Sequence, residues 1–293
     1  MLIKRAHSLF NYFIFILQIL TAISRTRSYG EVADTEVMND SHETLIGWKG
    51  ESYHPKVEVT NEAVVQTESS EWIETLSWWP RAFLYHHFLK DEECDHLISI
   101  ANDRLTRSLV VGEKGQDVID SIRTSFSASL GIGEDEVVLS IEERIATWTH
   151  LPRSHGEPIE VLRYQNGQKY DQHWDFFDAV QDGDVLNETC GNGVATVLMY
   201  LSDVEKDAGG ETSLPLAEEL DAWIQSASST GLSSCAEKLG VAVKPKKGSA
   251  LLFWDMHPDG NTTDRRALHA SCPTFRGTKW TATRWIHVRP TES

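Results

Sequence analysis

The sequence predicts an α+β fold that is mainly β: a double-stranded β-helix, or jelly roll, buttressed by helices from its N-terminal part. Two observations carry this prediction. Apolar residues recur at helical spacing mostly before Pro158, whereas short β-rich runs separated by turn residues follow it. The chain has 293 residues, 40 % of them hydrophobic and 24 % charged. These values are near globular averages, so the chain can bury one large core.

The N-terminal residues are predicted to be a sorting signal. Lys4 and Arg5 precede an apolar run over residues 9–23, which is shorter than the roughly 20 residues that a membrane span needs. Small residues at positions 22–24 suit cleavage, so residues 1–24 are predicted to be a signal peptide. A retained signal anchor and a buried N-terminal helix are the alternatives. We expect a secretory-pathway protein in the lumen of the endoplasmic reticulum or Golgi, soluble after cleavage or membrane-anchored.

Residues 25–75 are predicted to be an acidic, poorly ordered stem. Residues 31–71 contain ten acidic residues but only two lysines, Lys49 and Lys56, and few aromatic residues. These residues therefore carry a charge of 2 − 10 = −8, almost half of the net charge of −17. A chain this acidic lacks the basic face of a nucleic-acid-binding protein.

Two helices are expected at the start of the compact domain, which is predicted over residues 76–290. The first opens at Asp91, and its apolar positions recur at helical spacing up to Ala101. The second spans about 134–148, with one apolar stripe and with Glu142, Glu143 and Arg144 off that stripe.

Four β-strands are predicted after Pro158. They cover residues 159–164, 195–201, 250–254 and 279–288. Gly209-Gly210 and residues 245–248 are turn signals between them.

The most informative motif is His173-Trp174-Asp175. In an extended strand, residues two apart point to the same side, so this imidazole and carboxylate can share one metal. Two histidines and one carboxylate form the facial site of non-haem Fe(II) oxygenases. The similar His257-Pro258-Asp259 is interpreted as a loop, because proline suits a turn better than a strand interior.

A third ligand must come from downstream, where His257, His269 and His287 are the candidates. His269 follows His173 by 96 positions, which lets it come from a strand of the opposing sheet. Lys279 lies ten positions further on, at the start of the last strand. A cation there can pair with an anionic co-substrate bound to the metal.

The cysteines and glycosylation sequons agree with a secretory location. Cys94, Cys190, Cys235 and Cys272 allow three full disulfide pairings, which the sequence leaves open. Three Asn-x-Ser/Thr tripeptides, at Asn39, Asn187 and Asn261, predict a glycoprotein.

From about Leu76 to Val288 the chain resembles the prolyl 4-hydroxylases of the plant and algal type, within the Fe(II)- and 2-oxoglutarate-dependent dioxygenases. The resemblance is specific because many motifs match in order. They are Pro80–Phe83, Glu92–Ile98, Arg123-Thr124-Ser125, Gly156–Ile159, Val161-Leu162, Tyr164, Gly167–Tyr170, His173-x-Asp175, Leu198–Val204, Gly209–Thr212, Val243–Lys246, Gly248, Ala250–Trp254, Leu268-His269, Cys272-Pro273, Lys279-Trp280 and Trp285–Val288.

The resemblance implies a role for each matching residue. His173, Asp175 and His269 would hold Fe(II). Lys279 would pair with the distal carboxylate of 2-oxoglutarate, with the Tyr164 hydroxyl as a second donor. The residues implied to line the peptide channel are Arg123, Ser125, Glu157, Tyr170, Trp285 and His287. Simpler alternatives are core packing for the two aromatic residues and a surface ion pair between Arg123 and Glu157.

By the same resemblance, the chain is expected to be a monomeric procollagen-proline-type prolyl 4-hydroxylase. It would hydroxylate C4 of peptidyl proline in proline-rich or collagen-like chains, release succinate and CO2, and use L-ascorbate to keep its iron reduced. Trp174 departs from the Tyr or Phe of the family and is expected to face the core. Gly193 stands where the family often has Arg. The alternatives are a related oxygenase acting on another residue or a small molecule, and a non-catalytic jelly-roll binding module.

Overall fold

Two antiparallel sheets form the body of the protein. In this computed structural model, residues 47–48, 71–112, 115–177, 190–218, 231–237 and 240–291 are described, and all lie in one compact unit, Glu43–Ser293. The predicted signal segment and most of the predicted stem lie outside this part. No helix within these ranges is long and apolar enough to cross a membrane.

The helices lie early in the chain, as predicted. The elements are β1 Trp72–Trp78, β2 Arg81–His86, α1 Asp91–Asn102, β3 Thr106–Arg107, β4 Val110–Val111, β5 Asp117–Val118, β6 Phe126–Ser129, α2 Glu136–Thr149, β7 Glu160–Gln165, β8 Tyr170–His173, β9 Gly193–Tyr200, β10 Thr212–Leu214, β11 Val241–Val243, β12 Ala250–Trp254, β13 His269–Ser271 and β14 Thr278–His287. Strands β1 to β6 also precede Pro158, where no strand was predicted. Short 3-10 helices cover Arg153–His155 and Arg265–Ala267.

The larger sheet, called the major sheet, has the strand order β1-β2-β12-β9-β14-β7-β6-β3. The minor sheet has the order β11-β10-β13-β8, and β4 pairs with β5 in a separate ribbon. This mainly β architecture with two early helices confirms the predicted jelly roll. The four predicted strands are present, each within two residues of its predicted bounds.

Alternating residues of the major sheet serve two cores. In β12, Leu251 and Phe253 pack with minor-sheet residues such as Val243, whereas Leu252 and Trp254 belong to the core that contains the helices. Because side chains of a strand alternate between faces and both faces of β12 are covered, every residue of β12 is buried. The continuous apolar run over 250–254 reflects this double burial.

Both predicted helices are present, and each buries one face against the major sheet. Asp135 caps α2, because its Oδ1 accepts hydrogen bonds from the backbone N–H groups of Val137 and Val138 at 2.9 Å. The placement of Glu142 off the apolar stripe is wrong. Its side chain is completely buried and forms ion pairs with Arg284 (2.8 Å) and Arg153 (2.9 Å).

The ordered core includes residues upstream of the expected boundary at Leu76. β1 begins at Trp72, and Trp48, within the predicted stem, is 7 % exposed. The Trp48 ring packs 4.5 Å from that of Phe83, and its backbone N–H donates to Thr149 O. A bulky aromatic residue can thus dock on the domain from an otherwise acidic segment.

One disulfide joins Cys235 to Cys272, while Cys94 and Cys190 are free. None of the three full pairings is therefore formed. Cys94 is buried on α1, and burial raises the pKa of its thiol to about 12.

Candidate metal centre and active site

Two neighbouring strands of the minor sheet bring the predicted histidines together. His173, at the end of β8, lies opposite His269, at the start of β13, in an antiparallel pair. The expectation that His269 comes from the opposing sheet is wrong, because sequence separation does not reveal which strands pair. Asp175 lies two residues beyond the end of β8, so the two residues are close although the strand does not include both.

The three side chains form one compact cluster. Their candidate ligand atoms all lie within 4.8 Å of one another. Nε2 of His173 is 3.5 Å from Asp175 Oδ1, and Nε2 of His269 is 3.5 Å from Asp175 Oδ2. Each ring contacts a backbone carbonyl through Nδ1, at Asp171 O (2.7 Å) and Ala267 O (3.0 Å). These bonds place the proton on Nδ1 and leave both Nε2 lone pairs for a metal.

The charge states of the cluster suit a divalent cation. Burial lowers the pKa of His269 to about 4, so its imidazole is neutral. Burial raises the pKa of Asp175, but its polar neighbours, including the hydrogen bond that Thr196 donates, outweigh this effect and lower it. A metal requires deprotonated ligands. Two imidazoles and one carboxylate are the donor set that non-haem Fe(II) sites use.

Sequence reasoning missed two residues behind this cluster. Thr196 Oγ1 donates a hydrogen bond to Asp175 Oδ2 at 2.7 Å and lies 3.2 Å from Asp255 Oδ2. The signal for Thr196 was a polar residue within the apolar run 195–201. Asp255 directly follows a fully apolar strand, and nothing in the sequence marks it as part of the site.

Lys279 is the second feature of the site. It is completely buried and lies opposite Tyr164 in the pairing of β14 with β7. Its Nζ donates to Ser271 Oγ at 2.9 Å and lies 5.2 Å from the centroid of the Tyr164 ring. Burial lowers the pKa of Lys279 to about 7, with Glu211 acting in the opposite direction. Since its hydrogen-bond acceptor is a neutral hydroxyl, a ligand carboxylate would supply the counter-charge.

A cavity of about 670 Å³ opens beside the candidate ligands. Its walls include His173, Asp175 and five of the six residues that the resemblance places in a peptide channel. Those five are Arg123, Glu157, Tyr170, Trp285 and His287. The Tyr170 ring stacks on the His173 imidazole, so an aromatic wall directly adjoins the candidate metal position.

The polar walls of this cavity are organised as two separate ion pairs. Arg123 contacts Glu160 at 2.7 Å, and Glu157 contacts His287 at 2.5 Å. A surface pair between Arg123 and Glu157 is therefore wrong, and Arg123 is only 7 % exposed. Burial lowers the pKa of His287. Its hydrogen bonds to Cys190 and Glu157 outweigh the effect of burial and raise this pKa to about 10.

Two further expectations are corrected. Ser125 does not line the cavity: it is completely buried, donates to Ser108 Oγ at 2.9 Å and bonds the Tyr164 hydroxyl. Trp174 does not face the core. It is 39 % exposed and lines the cavity, and its indole N–H donates to Arg265 O at 3.0 Å. Trp174 points away because its neighbours in sequence, His173 and Asp175, occupy the inner side.

Gly193 and the second His-x-Asp motif also have defined positions. A Cβ atom at Gly193 would lie 2.8 Å from the carbonyl oxygen of Asp175, so a larger side chain would displace this backbone. Asp259 accepts hydrogen bonds from the backbone of Asn261 and Thr262 in a turn, and His257 lies 3.8 Å from Asp264. Neither residue of this motif belongs to the metal-ligand cluster.

Comparison with known proteins identifies the class. Residues 159–287 match the profile of the 2OG-Fe(II) oxygenase superfamily. "Probable prolyl 4-hydroxylase 7" of Arabidopsis thaliana is 47 % identical over 225 residues, 74 % of this chain and 66 % of the relative. "Probable prolyl 4-hydroxylase 6" of the same plant is 49 % identical over 74 % of this chain and 72 % of its own length.

A solved structure agrees with these relatives. The 2OG complex of a viral collagen prolyl hydroxylase from Paramecium Bursaria Chlorella virus-1 is 26 % identical, with a TM-score of 0.50 over 70 % of this chain and 94 % of that chain. The chain therefore belongs to the prolyl 4-hydroxylase family of 2-oxoglutarate- and Fe(II)-dependent dioxygenases, which confirms the resemblance. It is an enzyme whose cofactor is Fe(II) and whose co-substrate is 2-oxoglutarate.

Proposed function

We propose that this enzyme hydroxylates C4 of prolyl residues in proline-rich or collagen-like chains of the secretory pathway, consuming O2 and 2-oxoglutarate and releasing succinate and CO2. The observation that carries the proposal is the position of the candidate ligands His173, Asp175 and His269. His173 and Asp175 line an aromatic cavity that can hold a peptide. Buried Lys279, on β14 of the major sheet, donates a hydrogen bond to Ser271, two residues after His269. The names of the relatives and of the similar solved structure support the same chemistry.

Each group of residues has a separate task in this reaction. His173, Asp175 and His269 would hold Fe(II), which, when bound, activates O2 and couples the decarboxylation of 2-oxoglutarate to the oxidation of a C–H bond. Lys279 pairs with the distal carboxylate of 2-oxoglutarate, and the Tyr164 hydroxyl is the second donor. A charge-assisted bond in this buried position selects a dicarboxylate of the correct length.

The cavity walls suit a polyproline II peptide. This helix is preformed and leaves its backbone carbonyls without internal partners, so it needs both apolar walls and polar partners. Tyr170 and Trp285 supply the apolar walls, and Arg123 supplies hydrogen-bond donors. The Glu157–His287 pair adds a second polar point beside the metal.

Further parts of the proposal concern cellular context. L-ascorbate would return iron to Fe(II) after turnovers that oxidise it without peptide. Residues 1–24 would direct the chain into the secretory pathway as a signal peptide or a type II anchor, and the enzyme would act as a glycosylated monomer in the lumen. The disulfide Cys235–Cys272 is consistent with an oxidising compartment.

Mass spectrometry of peptides tests the proposed reaction. Poly-proline and collagen-like peptides would be incubated with enzyme, Fe(II), 2-oxoglutarate and ascorbate. We expect the mass of one added oxygen atom at proline C4, with one succinate released for each hydroxyl formed.

His173→Ala is the control, because loss of one ligand removes the metal. Hydroxylation that persists in this variant would contradict the assigned site. Oxidation of another residue or of a small molecule, with proline peptides untouched, would favour the related-oxygenase alternative.

A further inference from the structure

A second carboxylate lies behind the metal-ligand carboxylate. Asp255 follows β12 and is completely buried. Its backbone N–H donates to Val194 O at 2.9 Å, which anchors it to β9 two residues from Thr196. Thr196 is 1 % exposed, and its hydroxyl bridges the two acids: Oγ1 is 2.7 Å from Asp175 Oδ2 and 3.2 Å from Asp255 Oδ2.

The two contacts of Thr196 Oγ1 need one more hydrogen atom than its hydroxyl group carries. Two carboxylate oxygens are within hydrogen-bond distance of Thr196 Oγ1, but a hydroxyl group has only one hydrogen. If both acids were ionised, one of the two contacts would join oxygens with no hydrogen between them. Because Asp175 must be ionised to bind metal, the additional hydrogen belongs to Asp255.

The surroundings of Asp255 agree with a neutral acid. Its Oδ1 is buried and, within the described part of the chain, has no hydrogen-bond partner. An ionised carboxylate in such a position loses its hydration without compensation. Burial and the nearby charge of Asp175 raise the pKa of Asp255 well above its ordinary value, although His287 opposes this.

We propose that Asp255 is a neutral positioning acid for the metal centre. Its carboxyl group donates to Thr196 Oγ1, and the Thr196 hydroxyl donates to Asp175 Oδ2. This directed chain fixes the rotation of the Asp175 carboxylate relative to the two imidazoles. It also keeps a second negative charge away from the metal, so the site retains the single anionic ligand that its donor set requires.

Metal binding by variants of the two bridging residues tests the proposal. The measurement is the dissociation constant for Mn(II), followed by the electron paramagnetic resonance signal of the free ion. Outer partners of metal ligands typically contribute about 10- to 100-fold in affinity. We therefore expect Thr196→Val to weaken Mn(II) binding by about tenfold or more, and Thr196→Ser to restore it.

Asp255→Asn separates hydrogen bonding from charge. An amide N–H2 group donates to Thr196 as the protonated acid does, so Mn(II) affinity should stay within about threefold of the wild type. The infrared spectrum of the metal-free wild type should contain the carbonyl stretch of a protonated carboxyl group, and Asp255→Asn should lose it.

Thr281→Val is a matched control for the loss of a hydroxyl. Thr281 is completely buried on β14, and its Oγ1 has no hydrogen-bond partner among the described residues. This variant should bind Mn(II) like the wild type.

Two results would overturn the proposal. One is Mn(II) affinity in Thr196→Val equal to that of Thr281→Val. The other is Asp255→Asn binding Mn(II) more weakly than the wild type by clearly more than about threefold, or keeping the protonated-carboxyl band. If Thr196→Val does not fold, the Mn(II) affinity and the infrared spectrum of Asp255→Asn still test the proposal. All of these readouts are independent of the peptide substrate.

Discussion

Lys279 is an ionisable amine in a completely buried position, which makes its charge sensitive to pH near neutrality. In the enzyme without co-substrate, burial lowers the pKa of Lys279 to about 7, so its charged form is lost as the pH rises through this value. In the proposed reaction, the distal carboxylate of 2-oxoglutarate pairs with the charged form. The affinity for 2-oxoglutarate should therefore be constant below pH 6 and fall above pH 7, by at most about tenfold per pH unit.

Calorimetric titration of 2-oxoglutarate into the Mn(II)-loaded enzyme, from pH 6 to pH 9, measures this dependence. Lys279→Arg is the comparison, because guanidinium stays charged throughout the range. Its affinity should be lower than that of the wild type at pH 6 and nearly independent of pH. A wild-type affinity that does not change with pH would contradict the assignment of Lys279 to the carboxylate.

Single residues could be identified from sequence where residue type and spacing carry the chemistry. Residue type and spacing predict His173, Asp175, His269 and Lys279 as site residues, and the structure brings the candidate ligand atoms of the first three within 4.8 Å of one another. The partners of these residues could not be identified, because strand register places distant residues beside them. Ser271 beside Lys279 depends on such tertiary contacts.

At the scale of elements, local patterns located both helices and the four main strands. They did not predict that β8 and β13 are neighbours in one sheet, because pairing depends on the whole topology. They also misplaced Glu142. An acidic residue is normally on the solvent face of a helix, but here Arg284 reaches it from β14. Only the packed structure reveals this buried pair.

Glu142 joins helix α2 to the strand that carries Lys279. Glu142→Ala would leave the guanidinium of Arg284, 1 % exposed at its side chain, without its carboxylate. Removing one partner of a buried ion pair typically costs about 3–5 kcal/mol. Urea denaturation should show a decrease of this size in the free energy of unfolding.

Glu143→Ala is the control on the same helix, because Glu143 is exposed. A surface substitution should change the free energy of unfolding by no more than about 0.5 kcal/mol. Equal stability of the two variants would show that the Glu142–Arg284 pair contributes little.

At the scale of the whole molecule, residues from both sheets surround the candidate metal position. The cavity with Arg123, Tyr170 and Trp285 adjoins the ligands, and Lys279 reaches the minor sheet through Ser271. Two strands of one sheet supply both histidines, while the major sheet supplies Lys279 and Thr196. The jelly roll therefore holds the metal position at the contact between its two sheets.

The disulfide Cys235–Cys272 links the end of β13 to a segment 37 positions earlier in the chain. Cys272 directly follows Ser271, the hydrogen-bond partner of Lys279, and its backbone N–H donates to Glu211 O at 2.8 Å. On the other side of the bridge, Ser233 donates to the buried Glu211 carboxylate through its backbone N–H (2.9 Å) and its hydroxyl (2.7 Å). Residues on both sides of the disulfide therefore form hydrogen bonds with Glu211.

Breaking this bridge should therefore affect both stability and co-substrate binding. The two cysteines are 37 positions apart, and a loop of this length corresponds to about 3–4 kcal/mol in the chain-entropy model. Cys235→Ser should lower the free energy of unfolding by about this amount in urea denaturation. It should weaken 2-oxoglutarate binding more than Mn(II) binding, because the bridge adjoins Ser271 rather than the metal ligands. Reductant should reproduce both effects in the wild type and change nothing further in Cys235→Ser. A reductant effect of equal size in both proteins would assign the loss to another site.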